Sequence, residues 1–265
     1  MLRLALLLSA GLFVLTPAAQ AAESVDVALV LVDDVSRSIN DDEFNLQKQG
    51  YHAAFTNPKV LAAIRGGQNG QIAVAYVEFA AASQVSTVLQ WAVVKDAASA
   101  RAFANAMVAA PRSFRGYTAI GAGVDEAMRV MSMLTQQASR RVIDVCGDGA
   151  NNSGRPVAAA RDDAMRQDVV INGLALANEN ETFWLQAHTH PPGGLGNYYR
   201  QNVAGGEGSF VIEIHSYDSF AEAITRKLVD EIASIGVRAG PRRHDGEPNH
   251  ASVAGKLRIG DWHSG

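Results

Sequence analysis

Residues 25–38 read VDVALVLVDDVSRS, an apolar run that changes abruptly into a polar segment. A near-continuous valine-rich run is typical of a strand that is covered on both faces, as in a parallel sheet. We therefore predict a first strand over 25–32, followed by a polar loop that starts at Asp33. In open parallel sheets, ligands gather beyond the carboxyl ends of the strands. The same stretch therefore predicts the class of fold and the edge of the sheet that should carry a site.

The rest of the chain alternates between strand-like and helix-like segments. That order predicts an α/β fold: a doubly wound, mostly parallel sheet with helices on both faces. The segments 72–79 and 85–94 are close enough to pair as a hairpin, so 85–94 is the expected antiparallel edge strand. Further strands are expected over 141–146, 169–177 and 209–215, and helices over 40–55, 58–64, 96–109, from 118, from 156 and from 217.

The two ends of the chain depart from this pattern. Residues 1–21 combine an early Arg3, an apolar run over 4–15 and the triplet Ala19-Gln20-Ala21, which together are typical of a cleaved secretory signal peptide. The apolar run is short for a membrane span of ~20 residues, so an uncleaved anchor is the alternative. We expect a folded domain over 22–237 and a disordered tail over 238–265. The protein should be exported, periplasmic or secreted, with no stable membrane span after cleavage.

Composition excludes several classes of protein. The chain has 265 residues, of which 48% are hydrophobic and 19% charged, so a disordered chain is excluded. Its formal net charge of −4 argues against a nucleic-acid binder that works through a basic surface. Cys146 is the single cysteine, so no intramolecular disulfide can form, and we expect a buried, inert thiol.

Three polar groups follow predicted strands or precede a predicted helix: Asp34 with Ser36 and Ser38, then Thr118, then Asp148. All five side chains offer oxygen, which is the ligand that Mg²⁺ prefers, although Mn²⁺ or Ca²⁺ could use the same set. The three hydroxyls are neutral, so only the two carboxylates offset the charge of a cation. If one or both bind through water, the cation stays electrophilic and an incoming carboxylate could complete its coordination. Taken singly, the serines or Thr118 could cap helices, and Asp148 could belong to a plain turn.

Together these residues resemble the metal-ion-dependent adhesion site of von Willebrand factor type A domains. That family's pattern is D-x-S-x-S after the first strand, a distant threonine, and a distant aspartate that is often followed by glycine. Residues 34–38 (DVSRS), Thr118 and Asp148-Gly149 match it in order and spacing. More narrowly, DDEF at 41–44, YVEF at 76–79 and GDGANN at 147–152 are similar to the exported bacterial DUF1194 family.

The resemblance extends over about 25–235 and implies roles for the five residues. Ser36, Ser38 and Thr118 would bind the metal directly, and Asp34 and Asp148 would bind it directly or through water. The partner implied is a protein or peptide ligand with an acidic residue. Nothing in the sequence predicts the oligomeric state.

Two features depart from the family's pattern, and two more are weaker candidates for function. Asp33 places a second carboxylate beside Asp34, where it could raise metal affinity or point to solvent. The excursion over 178–196 is longer than the fold needs, and its His188-x-His190 could bind Zn²⁺ or Cu²⁺ or lie in a solvated loop. Arg112 and Arg115 could steer an anionic partner or form salt bridges.

These observations favour an exported, metal-dependent binding module that recognises a protein or peptide carboxylate and is not an enzyme. The first alternative is a metal-assisted hydrolase of phosphate or similar esters, since a metal with hydroxyls and aspartates can polarise such a substrate. The second is a structural envelope protein whose site has lost its ligand role.

Overall fold

The computed structural model of the protein describes residues 23–177 and 189–233. The predicted signal peptide over 1–21 and the predicted tail over 238–265 lie outside these ranges, as does the 178–188 part of the excursion. The limits of the domain therefore stay predictions.

A six-stranded sheet forms the centre of the described part of the chain, in the order β3-β2-β1-β4-β5-β6. Neighbouring strands are parallel except β2 and β3, which are antiparallel. The predicted α/β class and the antiparallel edge strand are therefore confirmed. The strands are β1 (Ser24–Asp34), β2 (Ile72–Phe79), β3 (Val85–Val94), β4 (Gln137–Gly147), β5 (Val169–Leu176) and β6 (Val211–Ile214).

Helices cover both faces of this sheet. They are α1 (Asp41–Phe55), α2 (Pro58–Arg65), α3 (Ala97–Ala109), α4 (Ile120–Ser132), α5 (Val157–Met165), α6 (Leu195–Tyr198) and α7 (Phe220–Ala233). A π-helical turn at Tyr199–Val203 continues α6, and a 3-10 turn at Tyr217–Ser219 precedes α7. None of the described helices has the length and hydropathy that a membrane span requires.

Local sequence explains where the helices begin. The side chain of Asn40 accepts hydrogen bonds from the first turn of α1, and Glu43 bonds back to the Asn40 backbone, so the capping box expected here is present. Asn57 caps α2, where Pro58 occupies a position whose missing N–H costs little. Asp96 caps α3 through the Ser99 backbone N–H. These starts depend on contacts of a few residues, which is why the sequence predicts them well.

Successive residues of β1 point to opposite faces of the sheet, as strand geometry requires. Leu29 and Leu31 pack in a core beneath α1, α2, α3 and α7. Val30 and Val32 pack in a second core beneath α4, α5 and the π-helical turn. By the same alternation Asp33 faces the first core and Asp34 faces the second.

The core beneath α1 and α7 also buries charge. Lys48 on α1 lies 3.0 Å from Glu78 of β2, and both are almost completely buried. Lys227 on α7 contacts Asp144 of β4 and lies 2.7 Å from Glu231. We call the set Asp33, Glu78, Asp144 and Glu231, with Lys48 and Lys227, the closed carboxylate layer. Buried ions of this kind persist only because they are paired and hydrogen-bonded.

Several predicted boundaries are wrong. β6 spans Val211–Ile214 rather than 209–215, β5 ends at Leu176 rather than 177, and α7 begins at Phe220 rather than 217. Three further differences concern the strands and the loop that carry the predicted ligands. β1 runs to Asp34 rather than stopping before Asp33, because both carboxyl groups find buried polar surroundings at the end of the strand. β4 begins at Gln137 rather than Arg141, since it pairs with β1 from Ser24 onward. α4 begins at Ile120 rather than Thr118, which leaves Thr118 in a loop.

Candidate metal centre

The five predicted ligands meet beyond the carboxyl ends of β1 and β4. The Oγ1 of Thr118 donates a hydrogen bond to the Oγ of Ser36 at 3.0 Å, and the Ser36 and Ser38 hydroxyls lie 2.9 Å apart. Ser38 in turn donates to Oδ1 of Asp148 at 2.8 Å. Oδ1 of Asp34 accepts the backbone N–H of Ser36 at 2.8 Å. Three segments far apart in sequence therefore form one cluster of side-chain oxygens.

The helix-capping alternatives for the hydroxyl residues are wrong. Asn40 caps α1, so neither Ser36 nor Ser38 does. No side chain caps α4, whose N-cap position is Ala119. The backbone of Thr118 is instead held by Asn152: its N–H donates to the Asn152 side chain and its carbonyl accepts the Asn152 N–H, both at 2.8 Å. The Thr118 hydroxyl is thereby aimed at Ser36.

The cluster is buried in a way that suits a cation. Asp34, Ser36, Thr118 and Asp148 are each at most 1% exposed, whereas Ser38 is partly exposed at the surface. Oδ2 of Asp34 is buried, and among the described residues it has no hydrogen-bond partner. Burial raises the pKa of Asp34 to about 7, although the hydrogen bonds from Ser36 and the charge of Arg112 act in the opposite direction. A buried carboxylate oxygen without a donor is costly unless a ligand occupies the space beside it.

The donor set therefore fits a hard divalent cation bound through oxygen. In the described ranges, no group of three or more histidine, cysteine, aspartate or glutamate side chains is arranged to hold a metal. A cation in this cluster would have two carboxylates and three hydroxyls as its ligands.

Arg112 holds the backbone of the loop that carries Ser36. Its guanidinium donates to the carbonyls of Val35 at 2.8 Å and Ser36 at 2.6 Å, and to the carbonyl of Phe114 at 3.1 Å. The side chain is 7% exposed, and its Nη1 lies 3.5 Å from Asp41, as the salt-bridge alternative predicted. Burial lowers its pKa. The steering role stays a prediction. Arg115 is exposed and pairs with Asp41 at the start of α1, as the salt-bridge alternative predicted.

Asp33 neither joins the candidate metal centre nor points to solvent. It is fully buried on the opposite face from Asp34 and accepts a hydrogen bond from Tyr51 at 2.6 Å. Burial raises its pKa to about 8, reinforced by the charges of Asp144 and Glu78 and opposed by the Tyr51 hydrogen bond. It contributes to the closed carboxylate layer, and its carboxyl group lies on the face of the sheet opposite the Asp34 side chain.

Sequence reasoning missed the residues that support the cluster from below. A Cβ on Gly147 would lie 2.7 Å from the Tyr199 hydroxyl and 2.9 Å from Cβ of Asp34, so only glycine fits between them. Asn151 accepts the Gly121 N–H at 3.0 Å, and its own N–H donates to the Tyr198 hydroxyl at 3.1 Å. The two asparagines in GDGANN were visible as a signal. The two tyrosines were not, because they lie fifty residues further along the chain.

The His188-x-His190 candidate stays a prediction. His188 lies outside the described residues. His190 is exposed, and its Nδ1 lies 3.0 Å from the Thr189 hydroxyl.

The fold is that of von Willebrand factor type A domains. The chain is similar to a proximal thread matrix protein of the mussel byssus whose metal-ion-dependent adhesion site holds zinc (16% identity, TM-score 0.59, 80% of this chain and 49% of that one). It therefore spans about half the length of the mussel protein. It is also similar to a von Willebrand factor type A protein from Catenulispora acidiphila (18%, 0.52, 80% and 43%). The von Willebrand factor domain of the type V pilus tip protein Mfa5 of Porphyromonas gingivalis gives 13% identity and a TM-score of 0.51 over 83% of this chain and 99% of that one.

No curated protein matches the sequence. Residues 24–236 match a family described as "Protein of unknown function (DUF1194)", and that range includes the whole sheet and all five residues of the cluster. The chain therefore belongs to the DUF1194 family, built on a von Willebrand factor type A fold.

Proposed function

We propose that this protein is an exported binding module whose recognition of a partner depends on a divalent cation held by Asp34, Ser36, Ser38, Thr118 and Asp148. One observation carries the proposal: three distant segments converge on a buried cluster of oxygens in which Oδ2 of Asp34 lacks a donor among the described residues. Export rests on the signal-peptide pattern over 1–21.

Mg²⁺ suits this donor set best, because hydroxyl and carboxylate oxygens are hard ligands. The zinc in the corresponding site of the mussel protein supports a divalent cation but not a particular one. When bound, the cation would supply a positive charge and a coordination position that another chain can fill. The protein's own residues hold the ligands in place. Asn152 aligns Thr118, and Arg112 donates to the backbone carbonyls of Val35 and Ser36.

The partner that this arrangement favours presents an aspartate or glutamate. Cleavage after Ala21 removes Arg3, which leaves 22 basic and 27 acidic residues and a net charge of 22 − 27 = −5. The overall charge therefore repels an acidic partner, so attraction has to come from the cation and its immediate surroundings.

Selection from a displayed peptide library tests this function. The folded domain is immobilised in Mg²⁺, the library is applied, and bound peptides are eluted with a chelator. We expect the eluted peptides to be enriched in aspartate or glutamate. The matched variant is Thr118→Val, which keeps the shape and the charge but removes one neutral ligand, and it should recover few of them. Thr56→Val, at the end of α1, is the control for a lost hydroxyl.

Two outcomes would contradict the proposal. Peptides that stay bound in chelator would mean that recognition uses another surface. Equal recovery of peptides by wild type and Thr118→Val would show that the five-residue cluster does not bind them. Within the described ranges nothing favours the hydrolase alternative, and steady turnover of para-nitrophenyl phosphate that is lost in Thr118→Val would revive it.

A further inference from the structure

The rim of the candidate metal centre carries an exposed arginine stacked on an exposed tyrosine. The guanidinium carbon of Arg37 lies 4.9 Å from the centre of the Tyr117 ring. Arg37 stands between the ligands Ser36 and Ser38, and Tyr117 directly precedes the ligand Thr118. The pair is therefore one residue away from three of the five ligands.

Arg37 differs from the other arginines at this edge. Arg112 is committed to the carbonyls of Val35 and Ser36, and Arg115 is paired with Asp41. Arg37 has no carboxylate partner among the residues that the structure describes, and it is exposed. Its charge is consequently available to a ligand that approaches the metal position.

The backbone beneath the pair is held in place on both sides. The N–H of Arg37 donates to the carbonyl of Gly116 at 3.0 Å, which joins the two loops directly under the stacked side chains. Tyr117 is 54% exposed, so its ring is accessible from solvent. Stacking on an aromatic face restrains a guanidinium while leaving its N–H edge open, and that edge matches a carboxylate in a two-point contact.

We propose that Arg37 and Tyr117 form a second contact site, which binds a second carboxylate of the partner while the first carboxylate binds at the metal. This inference rests on the proposed function and makes it more specific. The preferred ligand is then a peptide segment with two acidic side chains a short distance apart, and not a single acidic residue. Arg37 makes the contact, and Tyr117 positions it.

Synthetic peptides test the inference. One alanine–glycine peptide carries a single aspartate, and three others carry a second aspartate one, two or three residues further on. In saturating Mg²⁺, we expect at least one peptide with two aspartates to bind wild type about tenfold more tightly than the single-aspartate peptide, the factor that one charge-assisted contact supplies. Arg37→Ala should remove that difference, while binding of the single-aspartate peptide still requires Mg²⁺.

Two matched controls separate a local contact from general effects. Arg101→Ala removes an exposed arginine on α3 and changes the net charge equally, so it should keep the tenfold preference. Tyr117→Leu should reduce the preference and Tyr117→Phe should restore it, because the ring and not the hydroxyl supports the guanidinium. A purely structural role for Tyr117 would alter Mg²⁺ affinity in the same variants.

The outcomes distinguish this inference from the function on which it rests. Mg²⁺-dependent binding of the single-aspartate peptide with no gain from a second aspartate would overturn the second contact site alone. An equal loss of preference in Arg37→Ala and Arg101→Ala would do the same. Failure of wild type to bind any of the peptides in Mg²⁺ would overturn both.

Discussion

Asp33 and Asp34 are neighbours in β1, and both are fully buried, yet their carboxyl groups have opposite surroundings. Both oxygens of Asp33 lie near tyrosine hydroxyls, those of Tyr51 at 2.6 Å and Tyr76 at 3.3 Å. Asp34 has one oxygen on the Ser36 N–H and the other without a donor in the described part of the chain. Burial raises the pKa of both. Asp34 therefore differs from its neighbour Asp33 in hydrogen bonding and not in burial.

The surroundings of Asp33 are consistent with a protonated carboxyl group. The Tyr76 hydroxyl lies 3.0 Å from Glu78 and 3.3 Å from Asp33, but it has one proton to give. A protonated Asp33 that donates to Tyr76, which then donates to Glu78, satisfies all three groups. A pKa of about 8 for Asp33 agrees with this arrangement at neutral pH. In the closed carboxylate layer the carboxyl groups of Asp33 and Glu78 both contact the Tyr76 hydroxyl, whereas Oδ2 of Asp34 has no such partner in the described residues.

Breaking the closed carboxylate layer should have the largest effect. Lys48→Met removes the cation that pairs with Glu78 and leaves a buried charge, so we expect a loss of about 3–5 kcal/mol in the free energy of unfolding. Urea denaturation measures it. Lys59→Met, at an exposed position on α2, should change stability by less than about 0.5 kcal/mol. A similarly small effect at Lys48 would show that this layer is not the stabilising region.

Exchanging the two aspartates for asparagine tests the comparison directly. At a Mg²⁺ concentration ~100 times Kd, binding to the native state should add about 2.7 kcal/mol of stability in wild type. Asp33→Asn should keep this gain, because an amide is a close substitute for a protonated carboxyl group. Asp34→Asn should lose it. Urea denaturation with and without Mg²⁺ is the measurement, and an equal gain in both variants would refute the difference drawn between the two carboxylates.

A third prediction concerns pH. Burial and the charge of Glu231 raise the pKa of Asp144 to about 7, with Lys227 opposing them. The folded state therefore holds a proton that the unfolded state releases near pH 4, so this group's stabilising contribution is complete below that pH and is lost as pH rises through 7. Between pH 6 and 7 the loss should be about 1 kcal/mol, and Asp144→Asn should remove it. If the free energy of unfolding changes equally between pH 6 and 7 in wild type and in Asp144→Asn, the proton is not on Asp144.

The smallest expected effect is at Tyr199. Its hydroxyl is buried near Asp34 with no hydrogen-bond partner in the described residues, so Tyr199→Phe should leave the stability of the metal-free protein nearly unchanged. We expect Mg²⁺ affinity to fall about twofold to fivefold, because the hydroxyl lies beside Asp34 and restrains its position. This loss is smaller than the one that removal of a complete hydrogen bond would cause. Calorimetric titration measures the change. Unaltered affinity would limit the site to its five ligands.

The sequence predicted the features that depend on local pattern. The bounds of β2 and β3, the capping box of Asn40 and the approach of five ligand residues at one edge of the sheet all follow from hydrophobic runs, short motifs and the behaviour of parallel strands. The opposite directions of Asp33 and Asp34 also follow from strand alternation, but only once the strand is known to include them. The strand predicted over 25–32 ends before Asp33, so the opposite directions of the two aspartates could not be inferred from it.

Features that need partners from distant elements could not be predicted. Lys48 and Lys227 look like ordinary solvent-exposed helix residues in the sequence, and their burial follows from carboxylates on β2 and β4. The contacts of Arg112 could not be predicted, because its acceptors are backbone carbonyls, which no sequence pattern distinguishes. Tyr199 depends on the path of the chain after the excursion over 178–196.

Gly147, which lies between Tyr199 and Asp34, also has a genetic consequence. Every amino acid that replaces glycine brings a Cβ, and at this position a Cβ would meet the Tyr199 hydroxyl at 2.7 Å and Cβ of Asp34 at 2.9 Å. Any missense mutation of this codon therefore forces Tyr199 or Asp34 to shift. We expect relatives that keep the proposed cation site to keep this glycine, so an alanine here would mark a gene copy in which that site is altered.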